Sequence, residues 1–173
     1  PARVSVDASD GRAQAPAEAW LHADDGFDRS RQRSESHYFH CAPPCSLEVP
    51  AGAARVRVWR GFAHLPVDLQ PSVTANGETR VLATLQAQRL PSAFGGFLSA
   101  DLHVHMNYGG HYRNTPERLA AQARAEDLDV VYNLIVNKEE RIPDIGYFRA
   151  GGGADPAAGE GVTVFHAQEY HTS

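Results

Sequence analysis

The sequence predicts a β-sandwich followed by the first part of an α/β domain, and three observations carry that prediction. From residue 1 to about 90, short segments of alternating polarity are separated by turn residues. From residue 98 onward the pattern changes to strand, helix, strand, with one nearly continuous apolar run. Between the two lies the Pro- and Gly-punctuated linker "PSAFGGF" at 91–97.

The composition bounds the function. A chain of 173 residues holds one good-sized domain or two small ones, and a hydrophobic fraction of 42% suits a packed core. The formal net charge of -5 argues against a nucleic-acid partner. No apolar run approaches the roughly 18 residues of a membrane helix, so no membrane partner is expected either. Small-molecule, carbohydrate and protein partners stay open on these grounds. The chain begins at Pro1, has Met106 as its single methionine and displays no signal peptide, so its natural start is expected upstream. Periplasmic and secreted locations stay open. Cys41 and Cys45 in "CAPPC" lack the further ligands of a zinc site. They are read either as a short disulfide across a turn, the mark of an oxidising compartment, or as two thiols.

In the first half, "ARVSV" alternates and "DASDG" turns. "AEAWLH", "SHYFH", "CSLEVP", "AARVRVWRG", "PSVTA" and "TRVLATLQ" follow as further strand candidates. Asp10-Gly11, Pro50-Ala51-Gly52 and Asn76-Gly77 provide the punctuation. Within "AARVRVWRG", Val56 and Val58 fall on one face and Arg55, Arg57 and Trp59 on the other. The basic run "RSRQRS" at 29–34 reads as an exposed sandwich loop.

In the second half, "LSADLHVHM" reads as a strand and "NTPERLAAQARAED" as a helix. Thr115 is a suitable N-cap, Pro116 suits the first helical position, and Glu117 complements the helix dipole. Leu119, Ala120 and Ala123 form the stripe to be buried, which stops at the acidic pair Glu126 and Asp127. "LDVVYNLIV" at 128–136 reads as a strand covered on both faces, and "GVTVFHAQEYH" at 161–171 as another strand. "RAGGGADPAAGEG" at 149–161 reads as a flexible surface loop.

The chemistry concentrates in "SADLHVHMNYGG". Alternation on a strand places Asp101, His103 and His105 on one face and Leu102, Val104 and Met106 on the packed face. Two imidazoles at that spacing can converge on one divalent cation, with Asp101 as a further ligand or a partner for a ring N–H. On the later strand, Thr163, Phe165, Ala167, Glu169 and His171 share a face. If the strands run parallel, Glu169 arrives at the same end as the histidine pair. His166 lies on the opposite face and is expected to be structural.

Two resemblances follow from these segments. "VDASDGRAQAPAEAWLH", "FHCAPPCSLEVPAGAARVRVWRGF" and "TRVLATLQ" together resemble the transthyretin-like or carboxypeptidase-regulatory-like sandwich over residues 1–90. "ADLHVHMNYGG", "NTPERLAAQARAEDLDVVYNLIVNKEERIPDIGYF" and "HAQEYHTS", spanning 98–173, resemble the CehA/McbA-type metallohydrolases of the polymerase-and-histidinol-phosphatase (PHP) superfamily. That second resemblance implies a distorted-barrel α/β domain, with His103 and His105 as metal ligands and Glu169 as the acidic ligand. The chain departs from the family in two places. It has "YGGHY" where many members carry an "SDG"-like turn, and "IVNKEE" where many carry an Asp-His pair. Asn137 or Glu139 would substitute weakly there, so one metal is expected instead of several. The family's remaining ligands are expected beyond Ser173.

The resemblance implies a metal-dependent hydrolase of ester, carbamate or amide bonds. Its cofactor would be a divalent metal, zinc first and manganese or iron after it. A bound Zn²⁺ lowers the pKa of its water from about 15.7 toward 7. His111 and His171 are candidate proton shuttles, and Lys138, the single lysine, a candidate oxyanion partner. Tyr108, Tyr112, Arg113 and Asn114 are candidates to line the mouth. Two alternatives stand beside this reading. One is a non-catalytic, metal-stabilised binding protein. The other is a phosphoesterase using Arg113, Lys138 and Arg141.

Overall fold

The computed structural model describes residues 1–19, 38–89, 91–107, 113–136 and 142–170. The described residues are mainly β-sheet with one α-helix, and no barrel closes among them. The chain divides into two compact units, Pro1–Ala93 and Phe94–Ser173. The division falls inside the Pro/Gly-punctuated stretch.

The first unit is antiparallel throughout. Its strands are β1 (Ala2–Asp7), β2 (Ala13–Gln14), β3 (Phe39–Cys41), β4 (Gly52–Ala53), β5 (Arg55–Trp59), β6 (His64–Leu65), β7 (Val67–Leu69), β8 (Ser72–Val73) and β9 (Gln86–Ala87). The main sheet runs β2-β1-β5-β7, with β3 also paired to β1. Among the described residues, two-stranded sheets β4-β8 and β6-β9 accompany it. The register sets Val4 opposite Val58 and Val6 opposite Val56, so the predicted apolar face of "RVRVW" meets that of "RVSV". Val6, Ala8, Phe39, Ala54 and Val58 are buried there. On the other face, Arg57 and Arg55 both pair with Asp68, at 2.9 and 3.2 Å. The Asp10-Gly11 turn is held by Asp10 Oδ1, which accepts from the Arg12 N–H at 3.1 Å. Gly52 adopts φ +124°, and a Cβ there would lie 2.8 Å from Ser9 Cβ, so only glycine fits.

Three predicted strands need correction. "CSLEVP" forms no strand, and of "TRVLATLQ" only Gln86 is paired, with Ala87 as its companion in β9. Alternation assigns faces to a segment but does not provide a neighbouring strand with free N–H and C=O groups. Leu82 is accordingly 85% exposed. Of "AEAWLH", residues 17–19 form a turn and not the expected strand, while 20–22 lie outside the described residues, as does "RSRQRS". Cys41 and Cys45 are joined as a disulfide, which resolves the two readings of "CAPPC".

The second unit contains β10 (Ala100–Val104), α1 (Pro116–Ala125), β11 (Val130–Val136) and β12 (Thr163–Glu169). These strands form a parallel sheet in the order β10-β11-β12. The helix begins and ends as its sequence dictates. Thr115 is the N-cap, and its side chain accepts from the Arg118 N–H at 3.3 Å. At the other end Asp127 takes φ +58°, and the Leu128 N–H reaches back to the Ala123 carbonyl at 2.9 Å. Leu119, Ala120 and Ala123 are buried against Val131, Val162, Val164 and Met106. Thr115→Ala is expected to lower the stability of this unit by about 1 kcal/mol, read from urea unfolding at neutral pH.

The stretch 149–161, expected to be a flexible surface loop, is partly packed instead. It carries a short 3₁₀ turn at Pro156–Ala158, capped by Asp155, whose Oδ1 accepts from the Ala157 N–H at 2.9 Å. Asp155 and Ala158 are both buried. The reason is a partner remote in sequence, His166, to which Asp155 is bound at 2.8 Å.

Candidate metal centre

All three strands of the parallel sheet point the same way, so their C-terminal ends form one rim. His105 follows the last residue of β10, and Glu169 is the last residue of β12, registered with Val136 at the end of β11. Val164 packs against the helix, and Glu169, five positions on, projects from the opposite face.

A β-bulge adjusts the histidine pair. Asp101 is registered with Val131, but Val104 is registered with Asn133, so β10 carries one extra residue between them. The bulge corrects the expectation that Leu102 packs inward, since Leu102 is 63% exposed. It also redirects Asp101, whose Oδ1 accepts from the backbone N–H of His103 at 3.0 Å. Asp101 therefore secures the bulge and stands outside the cluster formed by the other three residues.

That cluster is His103, His105 and Glu169, whose donor atoms lie within 4.8 Å of one another. Glu169 Oε2 is 3.0 Å from His105 Nε2 and 3.3 Å from His103 Nε2. The two imidazoles meet edge to face at 77°. Two donors bound at about 2.1 Å to a tetrahedral ion stand roughly 3.4 Å apart, so these spacings suit a single small cation.

The tautomer of His105 strengthens the fit. Its Nδ1 lies 3.0 Å from the Leu134 carbonyl, which can only accept, so Nδ1 carries the hydrogen. In the neutral ring Nε2 then presents a lone pair to Glu169, and two acceptors face each other. A cation or an added proton between them removes the repulsion. A backbone carbonyl on the far ring nitrogen is the usual support of a metal-bound histidine. Two histidines and a carboxylate form an N/O donor set that suits zinc and leaves a coordination position open. His103 remains largely exposed, whereas His105 and Glu169 are mostly covered.

Behind the rim, on the helix side of the sheet, lies a buried polar network that the sequence pattern did not reveal. Asn133 is fully buried in the middle of β11. Its Oδ1 accepts from the Met106 N–H at 2.8 Å, and its Nδ2 donates to Asp144 Oδ2 and to His166 Nδ1, each at 3.1 Å. His166, with Nδ1 accepting, donates from Nε2 to Asp155 Oδ2 at 2.8 Å. Burial tends to raise the Asp155 carboxyl. The Ala157 N–H, the bond and charge of His166, and Arg149 outweigh it and hold the group below its usual pKa of 3.8. Asp144 Oδ1 accepts from Asn107 Nδ2 at 2.6 Å, and Asn107 Oδ1 accepts from the Asn114 N–H at 2.7 Å. Asn114, expected at the mouth of the site, instead has its side chain buried and donates to Gln122 at 3.0 Å. The signal in the sequence was the one amide, Asn133, in the middle of the apolar run "VVYNLIV".

His111, His171 and Lys138 lie outside the described residues, as do Tyr108, Tyr112, Asn137, Glu139 and Arg141. Arg113 is described, and its carbonyl accepts from the Arg118 guanidinium at 3.3 Å. No family model matches the chain, and neither does any curated protein or solved structure.

Proposed function

We propose that the chain carries the metal centre of a hydrolase that cleaves an ester, carbamate or amide bond with an activated water. The observation that carries this reading is the convergence of His103, His105 and Glu169 on one point at the rim of a parallel sheet. In this reading the first unit is a carboxypeptidase-regulatory-like sandwich and the second the opening part of a PHP-like α/β domain. The antiparallel sheet β2-β1-β5-β7 and the strand–helix–strand arrangement of β10, α1 and β11 are in keeping with that assignment.

A divalent ion, zinc before manganese or iron, would supply a water acidified toward neutral pH and a positive centre to polarise the scissile carbonyl. The chain's own residues divide the remaining work. His105 is locked by its Nδ1–H bond to the Leu134 carbonyl, so its Nε2 is aimed before anything binds. Glu169 offsets positive charge from a mostly covered position. His103, on the open side, leaves room for a small-molecule substrate to approach. Proton transfer is assigned to His111 or His171, and stabilisation of the developing oxyanion to Lys138.

The test is zinc titration of the full-length polypeptide followed by assay with p-nitrophenyl acetate and p-nitrophenyl phosphate. One equivalent of zinc and zinc-dependent acetate hydrolysis are expected. Tight zinc binding without turnover of either compound would make the site a scaffold for a binding protein. Preference for the phosphate would make it a phosphoesterase.

A further inference from the structure

We propose that Asn133 is a positioning residue for the metal centre, acting from the opposite face of the sheet to direct His105 toward Glu169. The inference rests on the metal-binding reading of His103, His105 and Glu169. The parallel ladder between β10 and β11 ends where Val104 is registered with Asn133. The Met106 N–H, one residue after His105, is taken up by Asn133 Oδ1 at 2.8 Å. The very next residue of β11, Leu134, accepts from the His105 ring at 3.0 Å. Two consecutive residues of the central strand thus hold the ligand, one by its ring and the other by the backbone just behind it.

An amide is the group that meets all the demands of this position. Met106 needs an acceptor, while Asp144 and the Nδ1 of His166 both need donors. Asn133 satisfies all three, which fixes its orientation. Asp144 extends the hold, because its second oxygen binds Asn107, two residues past His105, at 2.6 Å. The chain on the far side of the ligand is therefore tied to the same buried carboxylate. Valine or leucine would suit the apolar strand "VVYNLIV" but would leave the Met106 N–H and Asp144 short of partners.

The experiment compares the wild-type chain with Asn133→Leu, Asn133→Asp and the double variant Asn133→Asp/Asp144→Asn. Each is followed by thermal melting without metal, by zinc affinity from chelator competition, and by the visible absorption of the Co²⁺ complex. Asn133→Leu is expected to lower zinc affinity by about 10–100-fold, as loss of a supporting partner does, and to change the Co²⁺ band. Asn133→Asp sets two carboxylates against each other. The double variant restores the bonds on the metal side, since the carboxylate at 133 accepts from Met106 and the amide at 144 donates to it while accepting from Asn107; only the His166 Nδ1 loses its donor. Its affinity and Co²⁺ spectrum are expected to return toward wild type. A folded Asn133→Leu protein with wild-type affinity and spectrum would overturn the proposal while leaving the metal site intact. If Asn133→Leu does not fold, the double variant decides. Recovery relative to Asn133→Asp supports the positioning role, and a stable double variant without recovery refutes it. A wild-type chain that takes up neither Co²⁺ nor zinc would remove the metal reading and this inference with it.

Discussion

His105→Ala is expected to reduce zinc affinity by more than about 100-fold. The substitution removes one of three donors and also empties the position bound to Leu134. Loss of a mere supporting partner costs roughly 10–100-fold, so loss of the ligand itself should exceed that range. Glu169→Gln should act in the same direction, because it keeps the shape of the side chain and removes the charge that offsets the cation. Asp101→Ala makes the contrast. Its carboxylate is engaged with the His103 N–H, so affinity should fall by no more than the roughly 10–100-fold of a supporting partner, less than for a ligand. Melting in the presence of zinc gives an independent measure. At free zinc 100 times the dissociation constant, the wild-type unit gains about 2.7 kcal/mol, and His105→Ala should gain almost none. Equal affinities for wild type and His105→Ala would dismiss the site.

Asp155→Ala should destabilise the second unit by about 3 kcal/mol. It strips the partner from a His166 side chain that is 1% exposed and also removes the cap of the Pro156–Ala158 turn. Asp155→Asn should cost less, because its amide oxygen can still accept from one of the two donors, His166 Nε2 or the Ala157 N–H. The two variants also differ from wild type in acid. The Asp155 carboxyl is held below 3.8 in the folded protein, so its contribution is complete above that value. The contribution is lost as pH falls through the lower, folded value. Urea unfolding at neutral pH and at several points between about pH 4 and pH 2 should therefore show a shallower acid decline for Asp155→Asn than for wild type. A loss under about 1 kcal/mol for Asp155→Ala at neutral pH would mean that the His166 pair is not a structural anchor.

The helix shows how far local chemistry alone can be read. Thr115, Pro116 and Glu117 mark its start, Leu119, Ala120 and Ala123 its buried stripe, and the acidic pair at 126–127 its end, and each takes that role in the fold. These are short-range decisions, made by hydrogen bonds and packing within a few residues. Strand partners in the first unit were less legible. "CSLEVP" and "TRVLATLQ" alternate as strands do, yet a strand also needs a neighbour, and pairing is settled by segments far away in the chain.

The same division runs through the candidate site. Spacing along one strand was enough to put His103 and His105 forward, and parity along another was enough to bring Glu169 to their face. The parts of the arrangement that depend on distant residues were hidden. The bulge turned Asp101 into a support for His103 and left Leu102 outside. Asn133, Asp144, Asn107 and the His166–Asp155 pair are separated by up to tens of residues, and only the folded sheet brings their polar atoms within bonding distance. Sequence alone determined which side chains can bind a cation and on which elements they ride, because those properties belong to residue type and to the local repeat of the backbone. The tertiary structure decided which of them meet and what holds them, because a buried polar group is satisfied only by whatever the rest of the chain places beside it.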